Sequence, residues 1–301
     1  MSGDRVQTDS DDTPPLTLAI EVSNPSAVER DGGDGGSRDD GGRDRRRRGA
    51  ASASGADVLG PSVALARGES VIDQEPVRGR AGRQDDDLMP AIDRLVRRAG
   101  LSARDVERVA VSIGPGGFTG VRVAVATAKA LGETIMLCSG TRACCVGVPT
   151  ARVAAWHRCR EATASRTGAY ADAFVVALAS KRDTAFLSVF DRSGEPVAGV
   201  VPASGAIGDA AALHTLAGDD AARSGEPRIT VIVCDRHLPE AMREEATRLG
   251  LLIAPLRLSA AACARVAATI QPVDPLALLP LYPREPEAVT KWRALHGPAR
   301  G

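Results

Sequence analysis

The chain has 301 residues, 44% of them apolar, enough to fill two modest cores or one large one. Its 38 lysines and arginines are matched by 38 aspartates and glutamates, so no whole-molecule field draws in nucleic acid, and 3% aromatic content argues against a base-stacking surface. No apolar run approaches the roughly 18 residues that span a bilayer, and residues 1–12 are polar and acidic, unlike a signal peptide, so no membrane contact and a cytoplasmic location are expected.

Leu16 to Val22 reads as an apolar strand, and Ser62 to Ala66 with Val71 to Val77 as a hairpin around Arg67-Gly68-Glu69-Ser70. Between them, Glu29 to Arg48 contains only Glu, Arg, Asp, Gly and one Ser. With no apolar side chain to offset the entropy of ordering, the insertion at about 28–57 is expected to be disordered. The run Arg45 to Arg48 reads as part of that solvated, charge-balanced loop, electrostatic contact with RNA being the alternative.

Asp86 to Ala99 has the period of an amphipathic helix, with Leu88, Ile92, Leu95, Val96 and Ala99 on one face, Asp85 to Asp87 at its positive end and Gly100 as a stop. A strand over Glu107 to Ile113 then leads into Gly114-Pro115-Gly116-Gly117-Phe118-Thr119-Gly120 and a helix over 118–133. That helix is apolar almost all round, at Val121, Val123, Ala124, Val125, Ala126, Ala128, Ala130 and Leu131, interrupted by Arg122 and Lys129. Such a pattern suits a helix covered on more than one side, by its own fold or by a partner. Glu133 to Arg142 reads as an extra segment, and a second unit begins near Val146. There Phe174 to Leu178, Ala185 to Phe190 and Val197 to Val201 read as a meander turning at Arg192-Ser193-Gly194-Glu195. Ala210 to Leu216 and Pro239 to Leu249 read as helices flanking a strand over Ile229 to Cys234, and Ser259 can cap a helix over 260–270. Three strands, helix, strand, helix, and then a similar series, is an α/β layout with mixed sheets; periodicity alone does not choose among such folds.

The glycine run is a corner with unusual backbone demands, Gly116 and Gly120 being expected to need positive φ or close approach to a neighbouring strand. It is a poor phosphate loop. No Gly-Lys-Ser/Thr follows, and the spacing G-x-G-x-x-G ends in Thr119. The six cysteines show no C-x-x-C spacing and the four histidines no i, i+4 pair, so no metal is expected.

The corner resembles the G-P-G-S-F-T-G-[LV]-R signature of the TsaB (YeaZ) family, with Gly117 where Ser is usual. Leu88-Met89-Pro90-Ala91-Ile92 is similar to its L-L-P-x-I segment, Val146 to Thr150 to V-G-V-S-[ST], and Leu279-Pro280-Leu281-Tyr282-Pro283-Arg284-Glu285-Pro286-Glu287-Ala288 to its P-x-Y-x-R-x-x-x-A ending. Ala179-Ser180-Lys181 departs from the family's D-A-R. The resemblance implies a duplicated actin-like (ribonuclease H-like) two-domain fold: a disordered start over 1–13, a first domain over 14–145, a second over 146–292 and a tail over 293–301. It implies a non-catalytic subunit that activates a TsaD-like paralogue in making N6-threonylcarbamoyladenosine in tRNA, through a surface built from two helices of each partner. On this chain those helices give Leu88, Ile92, Leu95, Val96, Val121, Arg122, Val125 and Ala128 as the candidate interface. A TsaE-like ATPase is a further associate, tRNA is reached only through the complex, and pairing with a second copy stays open.

Catalytic members of the wider fold hold phosphates at glycine-rich hairpins and, in TsaD-like proteins, a metal at H-x-x-x-H. Here the corresponding stretches are Glu21-Val22-Ser23-Asn24-Pro25, Asp235-Arg236-His237-Leu238-Pro239 and Gln84-Asp85-Asp86-Asp87-Leu88, without those glycines or histidines. Glu21 and Asp235 are therefore read as exposed strand-end carboxylates, an acid pair for metal or water being the alternative, and no catalytic residue or cofactor is expected. An actin-like ATPase or a metallohydrolase of the glycoprotease type is the alternative.

Overall fold

The computed structural model describes residues 13–24, 57–78, 87–140, 144–164, 172–197, 201, 205–218, 227–284 and 287–297. The expectations for 1–12, 28–56, Gln84 to Asp86 and 298–301 lie outside the described residues.

Among the described residues, ten strands form two sheets of five. The first contains β1 (Leu16–Glu21), β2 (Ser62–Arg67), β3 (Ser70–Pro76), β4 (Arg108–Gly114) and β5 (Cys145–Pro149) in the order β3-β2-β1-β4-β5. The second contains β6 (Ala173–Ala179), β7 (Ala185–Asp191), β8 (Ala206–Gly208), β9 (Ile229–Cys234) and β10 (Leu252–Pro255) in the order β8-β7-β6-β9-β10. In each sheet the first three strands run antiparallel and the last two join parallel to the first. The helices repeat too. In the first half, α1 (Leu88–Arg98), α2 (Phe118–Ser139) and α3 (Thr150–Ala164) follow β3, β4 and β5. In the second, α4 (Ala210–Ala217), α5 (Glu240–Arg248) and α6 (Ala260–Ala267) follow β8, β9 and β10, before a final α7 (Glu287–His296). This is the duplicated actin-like, ribonuclease H-like α/β fold.

Strand alternation decides what each layer holds. Leu16, Leu18 and Ile20 of β1 face outward into a core with α1 and α2, whereas Ala19, with Ala64, Ala66 and Ala110, faces the second sheet. These alanines leave room for α6, itself alanine-rich and buried, to lie directly on the first sheet. Together α3 and α6 fill the space between the sheets, and α4 and α5 cover the outer side of the second. Ser259 caps α6 as expected, accepting from the Ala262 N–H at 3.0 Å, while Ser62 Oγ accepts from the Ala260 N–H.

Several elements differ from the sequence reading, and Val146, the expected start of a second unit, lies in β5 of the first sheet. The third strand of the second sheet is 206–208; of the expected strand over 197–201, residues 198–200 lie outside the described residues, and Val197 donates to the Val189 carbonyl beside a bridge between Phe190 and Pro196. The segment expected to be extra from Glu133 is the last turns of α2, which ends where Gly140 takes φ +74°. Helix α3 and strand β10 lack a clean one-sided pattern, because α3 is enclosed by both sheets and β10 is an edge strand of four residues.

Candidate functional site

At the end of β4 the chain turns into α2 through the glycine corner, with Gly114 at φ +100°. Gly116 and Gly120 do not need positive φ; they need the absence of a side chain. A Cβ on Gly116 would meet the Ser23 backbone, its carbonyl carbon at 2.9 Å, and one on Gly120 would stand 2.6 Å from the Val22 carbonyl oxygen. The Gly117 N–H donates to Ser23 O at 2.6 Å, and the Val121 N–H donates to Gly117 O at 3.0 Å. An amide that a phosphate loop would offer to an anion is thus bonded to the end of β1. Pro115 is buried, while Phe118 and Thr119 face outward.

The C-terminal segment closes over this corner. The Leu281 N–H donates to Ile113 O at 2.7 Å, and Tyr282 lies with its ring centroid 5.5 Å from that of Phe118. Between them sits Arg122, its guanidinium 3.7 Å from the Phe118 centroid and its Nε donating to the Tyr282 hydroxyl at 3.0 Å. Arg284 reaches the other half, donating to Lys181 O at 3.1 Å and to Thr184 Oγ1 at 2.5 Å. The P-x-Y-x-R ending is a strap across both halves. The sequence reading placed Tyr282 and Arg284 in a motif without a task; their pairing with Arg122 and the 181–184 turn is a tertiary fact.

Glu21 and Asp235 are not exposed. Glu21 is 1% accessible and accepts from the Ser23 N–H at 2.7 Å, from the Ser23 hydroxyl at 2.6 Å and from the Ser112 hydroxyl. Burial pushes its carboxyl above the ordinary range, against the opposing pull of those hydrogen bonds. Asp235 is 8% accessible and accepts from Asn24 Nδ2 at 2.9 Å across the two halves and from the His237 N–H at 2.9 Å. Each of these oxygens is engaged by the protein's own donors at a strand end. Asp87, the described member of the aspartate run, pairs with Arg94 at 3.0 Å and accepts from the Arg78 N–H. Among the described residues no group of His, Cys, Asp and Glu is arranged to hold a metal ion, and no described helix is long and apolar enough to cross a membrane.

The candidate interface side chains need correction. Leu88, Ile92, Leu95, Val96, Val121, Val125 and Ala128 all lie in the core between α1, α2 and the first sheet. Arg122 is exposed, but it belongs to the Phe118–Tyr282 clamp. The larger apolar residues of both helices first satisfy their own sheet. The exposed residues of α2 are Phe118, Thr119, Arg122, Ala126, Ala130, Thr134, Leu137, Cys138 and Ser139, with Val123 and Thr127 half-buried beside them. Leu137 is 87% accessible and Phe118 54%. The exposed side of α1 is charged: Arg97 pairs with Asp93 at 2.8 Å, Arg94 with Glu75 at 3.0 Å, and Arg98 with Asp73 at 2.7 Å. Small outward residues on α2 gave no signal, because Ala and Thr are common on solvent and core faces alike.

Comparison with known proteins adds two findings. The model of the TsaD family, tRNA N6-adenosine threonylcarbamoyltransferase, matches residues 83–137, the stretch from α1 through most of α2. The fold is similar to that of a Pseudomonas aeruginosa protein described as similar to peptidase YEAZ, at 20% identity, TM-score 0.57, covering 90% of this chain and all of that one. YeaZ from Pseudomonas aeruginosa is similar at 18% identity, TM-score 0.56, covering 89% of this chain and 99% of its own. No curated protein matches the chain. The overall fold is thus similar to that of YeaZ, whose family signature the glycine corner resembles, and the 83–137 segment is similar to the TsaD family.

Proposed function

We propose that this chain is a TsaB (YeaZ)-type subunit that has no transfer chemistry of its own and activates a TsaD-like paralogue in forming N6-threonylcarbamoyladenosine in tRNA. The observation that carries this reading is the outward side of α2. Its inner face is fully used by the first sheet, yet on the outer face from Ala126 to Leu137 the exposed residues are Ala126, Ala130, Thr134 and Leu137, uncharged and mostly small. Small side chains let a partner helix approach closely, and the ion-paired outer face of α1 supplies a polar rim beside the apolar strip. The glycine corner serves this surface by fixing the start of α2 against β1, and the Tyr282 strap holds the same end. In this reading the first half of the chain carries the partner face, tRNA meets the complex through the TsaD-like subunit, a TsaE-like ATPase joins them, and the setting is the cytoplasm. The alternative, an actin-like ATPase, needs glycine-rich hairpins to receive phosphate, where this chain has Glu21-Val22-Ser23-Asn24-Pro25 and Asp235-Arg236-His237-Leu238-Pro239.

The test is a reconstituted transfer assay with threonylcarbamoyl-adenylate, tRNA and the TsaD-like protein of the same source. Adding this chain should raise the initial rate at least tenfold, and the chain without its partner should give no product. An unchanged rate at saturating chain would overturn the reading.

A further inference from the structure

A cavity of about 560 Å³ opens between the two halves at the end remote from the glycine corner. Its place follows from register. Ser62 lies opposite Glu21 at the corner end of the first sheet, whereas Glu69 lies in the β2–β3 turn beyond the Leu16–Arg67 pair. Helix α6 starts at Ser62, so Arg265 near its C-terminus points to the same remote end. Helix α3 supplies Arg152, Trp156 and Arg160, at i, i+4 and i+8 on one face. The second half adds Glu195 from the turn after β7.

The charges in this cavity are not equivalent. Arg152 is held by Glu195 at 3.0 Å and Arg265 by Asp57 at 3.1 Å. Arg160 is exposed and has no ion pair among the described residues; its guanidinium rests 4.9 Å from the centroid of Trp156, with Arg265 4.7 Å from the same ring. The site therefore offers one uncommitted fork of donors beside an aromatic ring, in a chain with only two tryptophans. The hydroxyls of Thr163 and Thr269 already donate to Cys159 O and Val266 O, each at 2.9 Å, so an anion must take its donors from Arg160. A volume of this size suits a small molecule rather than a peptide.

We propose that this cavity binds a small organic anion, a carboxylate or phosphate on a compact flat body, with the anionic group on Arg160 and the body against Trp156 and Val266. Guanidinium pairs with either oxyanion as a two-point fork, and the stacked arginine is already oriented for it. Because the walls come from both halves, an occupant bridges them. The site is separate from α2, so the proposal stands or falls independently of the partner reading.

Trp156 is its own reporter once Trp292→Phe removes the other indole. Phenyl phosphate and benzoate are titrated into that variant of the full chain, with benzyl alcohol as the uncharged control, while the emission is followed. At least one anion should change the emission saturably, the tighter of the two identifying phosphate or carboxylate as the preferred group, and benzyl alcohol should not. Arg160→Gln should weaken that binding at least tenfold, and its thermal midpoint should match the parent because Arg160 is exposed; Arg160→Lys should keep part of the affinity. A lack of saturable change with both anions, or equal affinity in the folded Arg160→Gln protein, overturns the proposal.

Discussion

Gly120→Ala is the most informative single substitution in the corner, because two opposing effects have known size. Position 120 lies in the first turn of α2, where Ala is better than Gly by about 1 kcal/mol in helix propensity. Against this, the new Cβ would stand 2.6 Å from the Val22 carbonyl oxygen, a separation that side chains essentially never show. Neither partner yields easily: Val22 and Ser23 are buried, and Ser23 O is held by the Gly117 amide. Overpacking of this kind costs about 2–4 kcal/mol, leaving a net loss of about 1–3 kcal/mol. Gly116→Ala lies outside the helix, gains no propensity and meets two atoms of the Ser23 carbonyl, so its loss should be at least as large. Gly100→Ala is the control, with φ +70° and nothing within 4 Å of the added Cβ, and should cost about 1 kcal/mol through backbone strain alone. Urea unfolding followed by circular dichroism ranks the three. If Gly116→Ala and Gly120→Ala prove no less stable than Gly100→Ala, the corner is not built on close backbone approach.

The remaining expectations are as direct. Leu95→Glu and Val125→Glu place a carboxylate in the core of the first half and should cost about 3–5 kcal/mol, seen as loss of the cooperative thermal transition. Tyr282→Phe removes the acceptor for Arg122 but keeps the ring, so urea unfolding should show a loss of about 0.5–1.5 kcal/mol, while Tyr282→Ala should lose more. Burial pushes the His157 imidazole down to about 4 from 6.5, with Ser259 Oγ 3.0 Å from its Nε2. The unfolded chain then takes up a proton first, so stability should fall by roughly 3 kcal/mol as pH drops from 6.5 to 4. His157→Gln should flatten that stretch of the pH–stability curve.

Sequence periodicity carried β1 to β4 of the first sheet, Leu16, Leu18 and Ile20 of β1 alternating with Thr17, Ala19 and Glu21, but not β5. It carried α1 as well, whose buried Leu88, Ile92, Leu95 and Val96 keep strict helical spacing. It failed at α3, where Ala151, Val153, Ala154 and Ala155 are buried between the sheets and blur the stripe. The glycines were legible as a corner, but their reasons were not. Positive φ belongs to Gly114, while Gly116 and Gly120 answer to residues 22 and 23, about ninety positions earlier. Likewise a strand-end Glu reads as exposed until Ser112 and Ser23 are found around it. The apolar candidates on α1 and α2 are buried because apolar residues mark what a helix buries at home, whereas Ala126, Ala130 and Thr134 are left exposed on α2.

The outward side of α2 is best tested by isothermal titration of the TsaD-like protein with the wild-type chain and with Ala126→Glu and Ala130→Glu. Both alanines are exposed, so the variants should melt with the wild type. A carboxylate at the centre of a closed helix interface loses its water without gaining a counter-charge. The account predicts a dissociation constant raised at least a hundredfold in both variants, and equal affinity for wild type and variants would contradict it.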